Sequence, residues 1–414
     1  MQSLKEKLRE LRSAKTGIEQ HPASAVVSFQ PVQPAIDPVE KQSNKLLIRN
    51  KSYPLSFFYG NVQLSELALI DSNVLSFMAG AKGFENLTAQ DLLFIDTETT
   101  GVAGGTGTYV FLIGIGRLDG DEFVVKQLLM NDFCHEEAFL EAFSDEIAAA
   151  NCLITYNGKS FDLPLIKTRL LLNRKETRDL ELLPHIDLLI PVRRLWKKSL
   201  PSCALADVEA NILRYNRVND IPGWAIPQVY FDYLRSQDFQ EILHVLRHNV
   251  QDILSLAALS AYLGRVSKRE TNLSHVDPLW MFRIYCQLGK EEDALQFLPE
   301  APVSIDESTS ANERLLLEKA LLLKRMNRFR ESNMLFEQLL SSRQLGKIAC
   351  IELAKFYEHK AKDYRKALEL MIQVEKRYEM LSLLVNIDQA DAICDYEWER
   401  RKLRLRQKIN QASW

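Results

Sequence analysis

Asp96 and Glu98 stand one residue apart at the end of the apolar run DLLFID, inside FIDTETTGVAGGTGTYVFLIGIG (residues 94–116). If the extended backbone persists for two residues, the period-2 geometry of a strand puts both carboxylates on one face. Two charges so placed repel by roughly 1 to 4 kcal/mol at partly screened separations, which implies a shared proton or a bound cation. Hard oxygen ligands favour Mg2+ or Mn2+ over zinc. For a DxE pair taken alone, solvated loop acids are the plainer account. The glycines behind the acids invite a nucleotide reading, which fails on its own rules. A P-loop needs a lysine, and none follows Gly104, Gly105 or Gly107; a GxGxxG fingerprint would need glycine where Val110 stands. A tight connection between two strands, with glycine where φ is positive, accounts for most of them.

Two further acids extend the set. In TYNGKSFDLPLIKTRL a turn at Asn157-Gly158 precedes Asp162, which falls in the first turn of a helix with apolar Leu163, Leu165, Ile166 and Leu170. An acid there is also an ordinary partner of the helix dipole. Asp252 lies mid-helix in QDFQEILHVLRHNVQDILSLAALSAYL (237–263), with His248 one turn and His244 two turns before it on the same face. A polar stripe on a solvated helix is the alternative reading, and Gly264 is the expected stop.

These side chains need elements to hold them. DLLFID, YVFLIGIG, EFVVKQLLM and CLITY read as short strands, with helical patterns near 135–149 and 160–173, so the region from 46 is α/β with a mixed sheet flanked by helices. Before it, residues 3–14 have Leu4, Leu8 and Leu11 on one helical face, and 21–45 carry four prolines, giving a short helix and a linker over 1–45. Beyond about 272 strand signals stop. LGKEEDALQFL, MNRFRESNMLF and AKDYRKALELM place small residues at Ala294, Ser332 and Ala367, spacings that suit tetratricopeptide-like helical repeats over 272–414. The expected division is therefore 1–45, 46–265 and 272–414.

The 414 residues carry 52 basic and 55 acidic side chains, a net charge of −3 that gives no global pull toward nucleic acid, so any such site is local. The six cysteines form no CxxC pair, the N-terminus alternates charge too often for a signal peptide, and no apolar run is long enough to span a membrane. A cytoplasmic protein without a membrane partner is expected.

A strand-borne DxE, an Asp opening a helix about 65 residues later, and a helix-borne His-x-x-x-Asp about 90 residues after that resemble the DEDD (DnaQ-like) 3′–5′ exonucleases of the ribonuclease H-like fold. The closest resemblance is to the YprB ribonuclease H-like family, associated with bacterial mitomycin-damage repair. It covers residues 46–265 through FIDTETTGVAGGTGTYVFLIGIG, YNGKSFDLPLI, HIDLLIPVRRLWKKSLPSCALADVE, NDIPGWAIPQVYFDYL and HNVQDILSL, and the helical C-terminus fits that architecture. The resemblance implies that Asp96, Glu98, Asp162 and Asp252 are metal-binding carboxylates holding two Mg2+ or Mn2+ ions about 3.5–4 Å apart for phosphodiester hydrolysis. It also implies a DNA substrate and a helicase of the same repair pathway as partner. His248 stands where the tyrosine-type branch has its YxxxD tyrosine, whereas the histidine-type branch places its His where Arg247 is. With an unperturbed pKa near 6.5, His248 suits a base or water-orienting role, whose loss would lower rate and not metal binding.

Weaker expectations complete the set. Thr99, Gly105 and Thr106 beside the acids, Asn157 in its turn, and Arg194 and Trp196 of RRLWKK are candidate nucleic-acid contacts. For RRLWKK a basic helix surface over a buried Trp is the competing account. His185 and Asp187 read as structural, with support of the site's ligands as the alternative, and the basic tail RRKLRLRQK (400–408) as a solvated helix face or a foot on DNA. Two rival functions stand beside the DNA exonuclease: an RNA-processing 3′–5′ exoribonuclease, and a catalytically silent nucleic-acid-binding scaffold whose helical repeats contact protein or DNA.

Overall fold

The computed structural model describes residues 41–42, 46–101, 105–297, 310–384 and 392–412. The helix expected over 3–14 and most of the linker behind it lie outside the described residues. Lys41–Gln42 (β1), inside the expected linker, is already a strand, pairing with Ile48 and Leu47 of Leu46–Pro54 (β2). A small hairpin of Phe58–Tyr59 (β3) and Val62–Gln63 (β4) follows. The remaining strands are Leu92–Thr99 (β5), Val110–Asp119 (β6), Glu122–Met130 (β7), Cys152–Thr155 (β8) and His185–Asp187 (β9). All but the hairpin form one seven-stranded sheet in the order β1-β2-β7-β6-β5-β8-β9.

The chain from β5 to β7 is an antiparallel meander, closed between β6 and β7 by the two residues Gly120 and Asp121. β8 and β9 then add parallel to β5, each reached through helices: Glu136–Ala148 (α2) before β8, Asp162–Leu172 (α3) and Arg178–Leu182 (α4) before β9. Parallel neighbours need such crossovers, and their strands are apolar on both faces, as in CLIT, buried at all four positions. Ser72–Ala79 (α1), Leu189–Trp196 (α5), Leu205–Val208 (α6, continuing into one π turn over Glu209–Leu213), Ile226–Ser236 (α7) and Phe239–Lys268 (α8) complete the layers. This is the mixed α/β architecture the strand and helix patterns predict.

α8 carries Asp252 across the sheet and does not stop at Gly264. Asp238 caps its start by accepting from the Gln240 amide at 2.9 Å, and Arg269 ends it in the left-handed conformation. Gly264 lies inside, facing Val74 of α1, where a small residue serves packing.

The helical region comprises Pro278–Gln287 (α9), Glu291–Leu295 (α10), Ser310–Arg325 (α11), Phe329–Leu339 (α12), Gly346–Phe356 (α13), Tyr364–Leu384 (α14) and Ala392–Ala412 (α15). Ala294, Ser332 and Ala367 are all fully buried, and the Ser332 hydroxyl donates to the Ala320 carbonyl at 2.8 Å, so these small residues do lie where helices meet. One apolar core runs from the sheet region into α9, α10 and α11, through Met281, Phe282, Ala294 and Leu322. The Asp277 amide donates to the Leu195 carbonyl at 2.9 Å, and Trp280 packs edge-on to Phe77. The change from α/β to all-helical architecture thus falls across a shared core.

The basic tail turns inward. Arg401, Arg404 and Lys408 converge on the fully buried Glu358, each at 2.8 Å, and Lys402 pairs with Glu375 at 2.6 Å. Four of its six cations therefore have carboxylate partners within the fold. No helix among the described residues is long and apolar enough to cross a membrane.

Candidate active site

β5 ends as the DxE pattern requires. Asp96 and Glu98 share one face of the strand and keep partial exposure, while Thr97 and Thr99 between and after them are buried. A register shift follows Glu98 in the pairing with β6, a bulge of the kind that re-aims side chains at a strand end. Asp96 sits opposite Gly114 of β6, and this glycine decides what can approach: a Cβ there would come within 2.3 Å of the Asn249 side chain. Its absence lets α8 lie close enough for the Asn249 amide to donate to Asp96 Oδ2 at 2.9 Å and to share a 2.9 Å bond with Gln127.

Asp162 reaches the cluster from the other side. The Thr97 hydroxyl donates to its carboxylate, tying the first turn of α3 to β5. The loop in front of it is fixed by Asp187, the buried end of β9, which accepts from the backbone amides of Asn157 (2.7 Å), Lys159 (3.1 Å) and Leu189 (3.1 Å). Asn157 adopts a left-handed φ of 65°, and a Cβ on Gly158 would strike Thr155 at 2.4 Å. Asp187 is thus structural, and its structure is what delivers Asp162.

Asp252 and His248 come from successive turns of α8, with His248 Nε2 3.2 Å from Asp252 Oδ2. The other ring nitrogen, Nδ1, lies 2.8 and 2.9 Å from the two oxygens of Asp220. Arg217 donates to Asp252 Oδ1 and, at 3.1 Å, to Asp220, while a two-point pairing with Glu209 at 2.8 and 2.5 Å anchors it. Glu209, only 1% exposed, also accepts from Ser255. Glu98, His248 and Asp252 each offer a donor atom within 4.8 Å of the others.

The electrostatics are those of an acid surplus. Burial, then the charges of Asp252 and Asp162, push Asp96 well above the usual carboxylate range, against the Asn249 hydrogen bond. Burial followed by Asp96, Asp252 and Asp162 does the same to Glu98, which accepts no hydrogen bond from the described residues. Burial lifts Asp162 to about 6 despite the Thr97 bond. Burial alone would lower His248, but the hydrogen bond the ring gives to Asp220 and the charge of Asp252 outweigh it and raise the ring. Carboxylates crowded this way, with one guanidinium against Asp252, fit a divalent cation: the donor set is oxygen-rich, partly open and short of positive charge. Glu98 and Asp252, with His248 beside them, have donor atoms close enough to one another to hold it, and the charges of Asp96 and Asp162 act on the same site.

Residues 93–264 match the family model of the RNase_H superfamily. Over 368 residues the chain is 35% identical to the protein YprB of Bacillus subtilis (strain 168), covering 87% of this chain and 84% of that one. The chain belongs to the ribonuclease H-like YprB family. Among solved structures, the family B DNA polymerase of the hyperthermophilic archaeon Pyrobaculum calidifontis aligns with TM-score 0.36 and 16% identity over 57% of this chain and 29% of the polymerase, a likeness too slight to bear on activity. Superfamily membership suggests a nuclease, a hydrolase with a nucleic-acid substrate, on a fold that usually binds divalent metals.

In this YprB-family chain the weaker candidates part company. Trp196 is 2% exposed in the core, so neither ring face is available to a base, while Arg194 and its basic neighbours Arg193, Lys197 and Lys198 remain on the surface. Thr99 is buried and its hydroxyl donates to the Gly101 carbonyl at 2.9 Å, which makes it a turn lock. Gly105, with φ of 91°, and Thr106 are exposed in the connection after β5, and the Thr106 carbonyl accepts from Arg169 at 2.8 Å. Asn157 also exposes its side chain. His185 pairs with Thr155 at 2.8 Å, burial lowering it to about 4, and His244 is exposed and apart from the cluster.

Sequence reasoning missed Arg217, Asp220, Glu209, Asn249 and Thr97. Asn249 was within reach, because it precedes Asp252 by three residues on the same helix. Arg217 and Asp220 lie in an irregular segment with no periodicity to mark them.

Proposed function

We propose that the chain is a divalent-metal-dependent DNA exonuclease of the DEDD type that works from 3′ ends. The observation that supports this reading is the convergence of Glu98 from β5 with His248 and Asp252 from α8, whose donor atoms lie within 4.8 Å of one another, with the charges of Asp96 and Asp162 bearing on the same acids. Two Mg2+ or Mn2+ ions held there would activate water and stabilise the leaving oxygen of the phosphodiester. The chain's own part is to hold the four carboxylates at fixed positions, through Asn249 on Asp96, Thr97 on Asp162 and Arg217 on Asp252. Gly105, Thr106, Asn157 and the surface cation Arg194 are the contacts we assign to the polymer. A place in DNA repair beside a helicase rests on the family resemblance. The helical region, read as tetratricopeptide-like repeats, would serve protein or DNA contacts.

The test is digestion of 5′-labelled DNA in Mg2+ or Mn2+, with a matched RNA strand alongside. Stepwise shortening from the 3′ end is expected, with no products from a folded Asp96→Ala, Glu98→Ala variant. Undiminished cleavage by that variant would sink the assignment. Faster loss of the RNA would move the substrate to RNA, and silence on single-stranded, duplex, nicked and gapped DNA would leave the scaffold reading.

A further inference from the structure

We propose that His248 is a metal ligand through Nε2, oriented by Asp220, and that with Glu98 and Asp252 it forms a mixed nitrogen–oxygen site preferring a first-row transition ion to Mg2+. The inference rests on the nuclease reading and deepens it, because it changes what the histidine is for.

Three observations carry it. First, both oxygens of Asp220 lie within 2.9 Å of Nδ1, nearer than the Arg217 guanidinium at 3.3 Å, so the neutral ring gives its proton to the carboxylate and leaves the Nε2 lone pair facing Asp252 Oδ2 at 3.2 Å. Two lone pairs set against each other call for positive charge between them, either the ring's own second proton or a bound cation, and the closeness of Glu98 as a third donor favours the cation. A carboxylate on the far nitrogen of a ligating histidine is the usual way such a ring is aimed and made more basic. Second, Arg217, clamped by the buried Glu209, occupies Asp252 Oδ1 and leaves Oδ2 as that carboxylate's remaining donor. Third, Glu98 receives no hydrogen bond from the described residues, and its donor oxygen completes the 4.8 Å triangle.

The donor chemistry sets the ion class. Mg2+ demands near-octahedral oxygen ligands and gives up water reluctantly, whereas imidazole nitrogen suits transition ions, with affinity rising from Mn2+ onward. With Asp220 on Nδ1 and a cation on Nε2, neither ring nitrogen is free to take a proton from water. The general base is then a different group, and substitution of His248 removes metal as well as rate.

Mn2+ alone is the probe, titrated into the full-length metal-free chain and followed by electron paramagnetic resonance. The expected result is nitrogen-14 modulation on the bound ion, lost in His248→Gln together with a tenfold or greater fall in affinity. Asp220→Asn should weaken Mn2+ by about 10- to 100-fold while keeping the modulation. Mg2+ should displace Mn2+ more readily from His248→Gln than from the wild type. Bound Mn2+ without nitrogen modulation in the wild type overturns the proposal even if the variant misfolds. So does unchanged affinity in a folded His248→Gln, the outcome expected if the ring merely bridges Asp220 and Asp252 as an imidazolium. Binding that requires Asp96 but ignores His248 would overturn this inference and spare the nuclease; no Mn2+ binding at all would overturn both.

Discussion

At the end of β5 four carboxylates have beside them one guanidinium and one imidazole, both in contact with Asp252 alone among the four, whereas in the helical region one carboxylate, Glu358, is shared by Arg401, Arg404 and Lys408. Both clusters remove acids from water, and burial by itself pushes Asp96, Glu98, Asp162 and Glu358 upward. In the helical region the cations win and Glu358 falls to about 2. Near β5 they do not, and Asp96, Glu98 and Asp162 stay raised. A cation-rich cluster satisfies its buried carboxylate within the chain and holds helices together. An acid-rich one lacks a positive charge that the described residues do not supply, which is the physical mark of a site built for something from outside.

Four experiments can break or sharpen that contrast. The largest effect belongs to Asp96→Ala with Glu98→Ala: cleavage should fall at least about 10³-fold, the several kcal/mol that metal-held charge supplies, while circular dichroism stays unchanged. Next is Glu358→Gln, which strands Arg401, Arg404 and Lys408 and should lower unfolding free energy by roughly 3 kcal/mol in denaturant titrations. Cleavage of a short substrate below the melting range should persist, and its loss would erase the distinction between the two clusters.

Gly114→Ala tests the approach of α8. The added methyl meets Asn249, so we expect about 1–3 kcal/mol of destabilisation with a drop in cleavage as Asn249 leaves Asp96. The smallest effect is in the pH dependence, where the clusters should have opposite signs. Glu358 has a folded pKa below the ordinary 4.5, so its stabilisation is present above that value and disappears as pH falls toward about 2. Asp162 has a folded pKa near 6, above the ordinary 3.8, so in chelator its contribution is greatest at low pH and is lost as pH rises through about 6. Thermal melts in chelator across this range, for the wild type and for Asp162→Asn, measure it; a melting temperature flat in pH around 6 would contradict the raised carboxyl.

Much of the frame was legible because the relevant signals are local. The strands around DLLFID, YVFLIGIG and CLITY announce themselves by continuous apolar runs, and the buried Ala294, Ser332 and Ala367 by spacing. Where a second explanation fitted the same letters, sequence alone could not choose. RRLWKK reads equally as a stacking platform or as a basic surface over a core tryptophan, and only the burial of Trp196 separates them. The tail RRKLRLRQK looks like a free charge run until Glu358 and Glu375 are placed against it.

The sequence by itself determined which acids are on offer and that Asp96 and Glu98 share a strand face, because a strand's period of two is a property of the backbone. Only the tertiary structure decided their company. Arg217 reaches Asp252 across 35 positions and Asp220 reaches His248 across 28, with no repeat or pattern linking either pair. Such contacts are set by how α8 and the segment before it pack over the sheet, on the close approach that Gly114 allows. Side-chain partnership at long range is a property of packing, and packing decides whether a surplus of negative charge is neutralised within the fold or left for a metal ion.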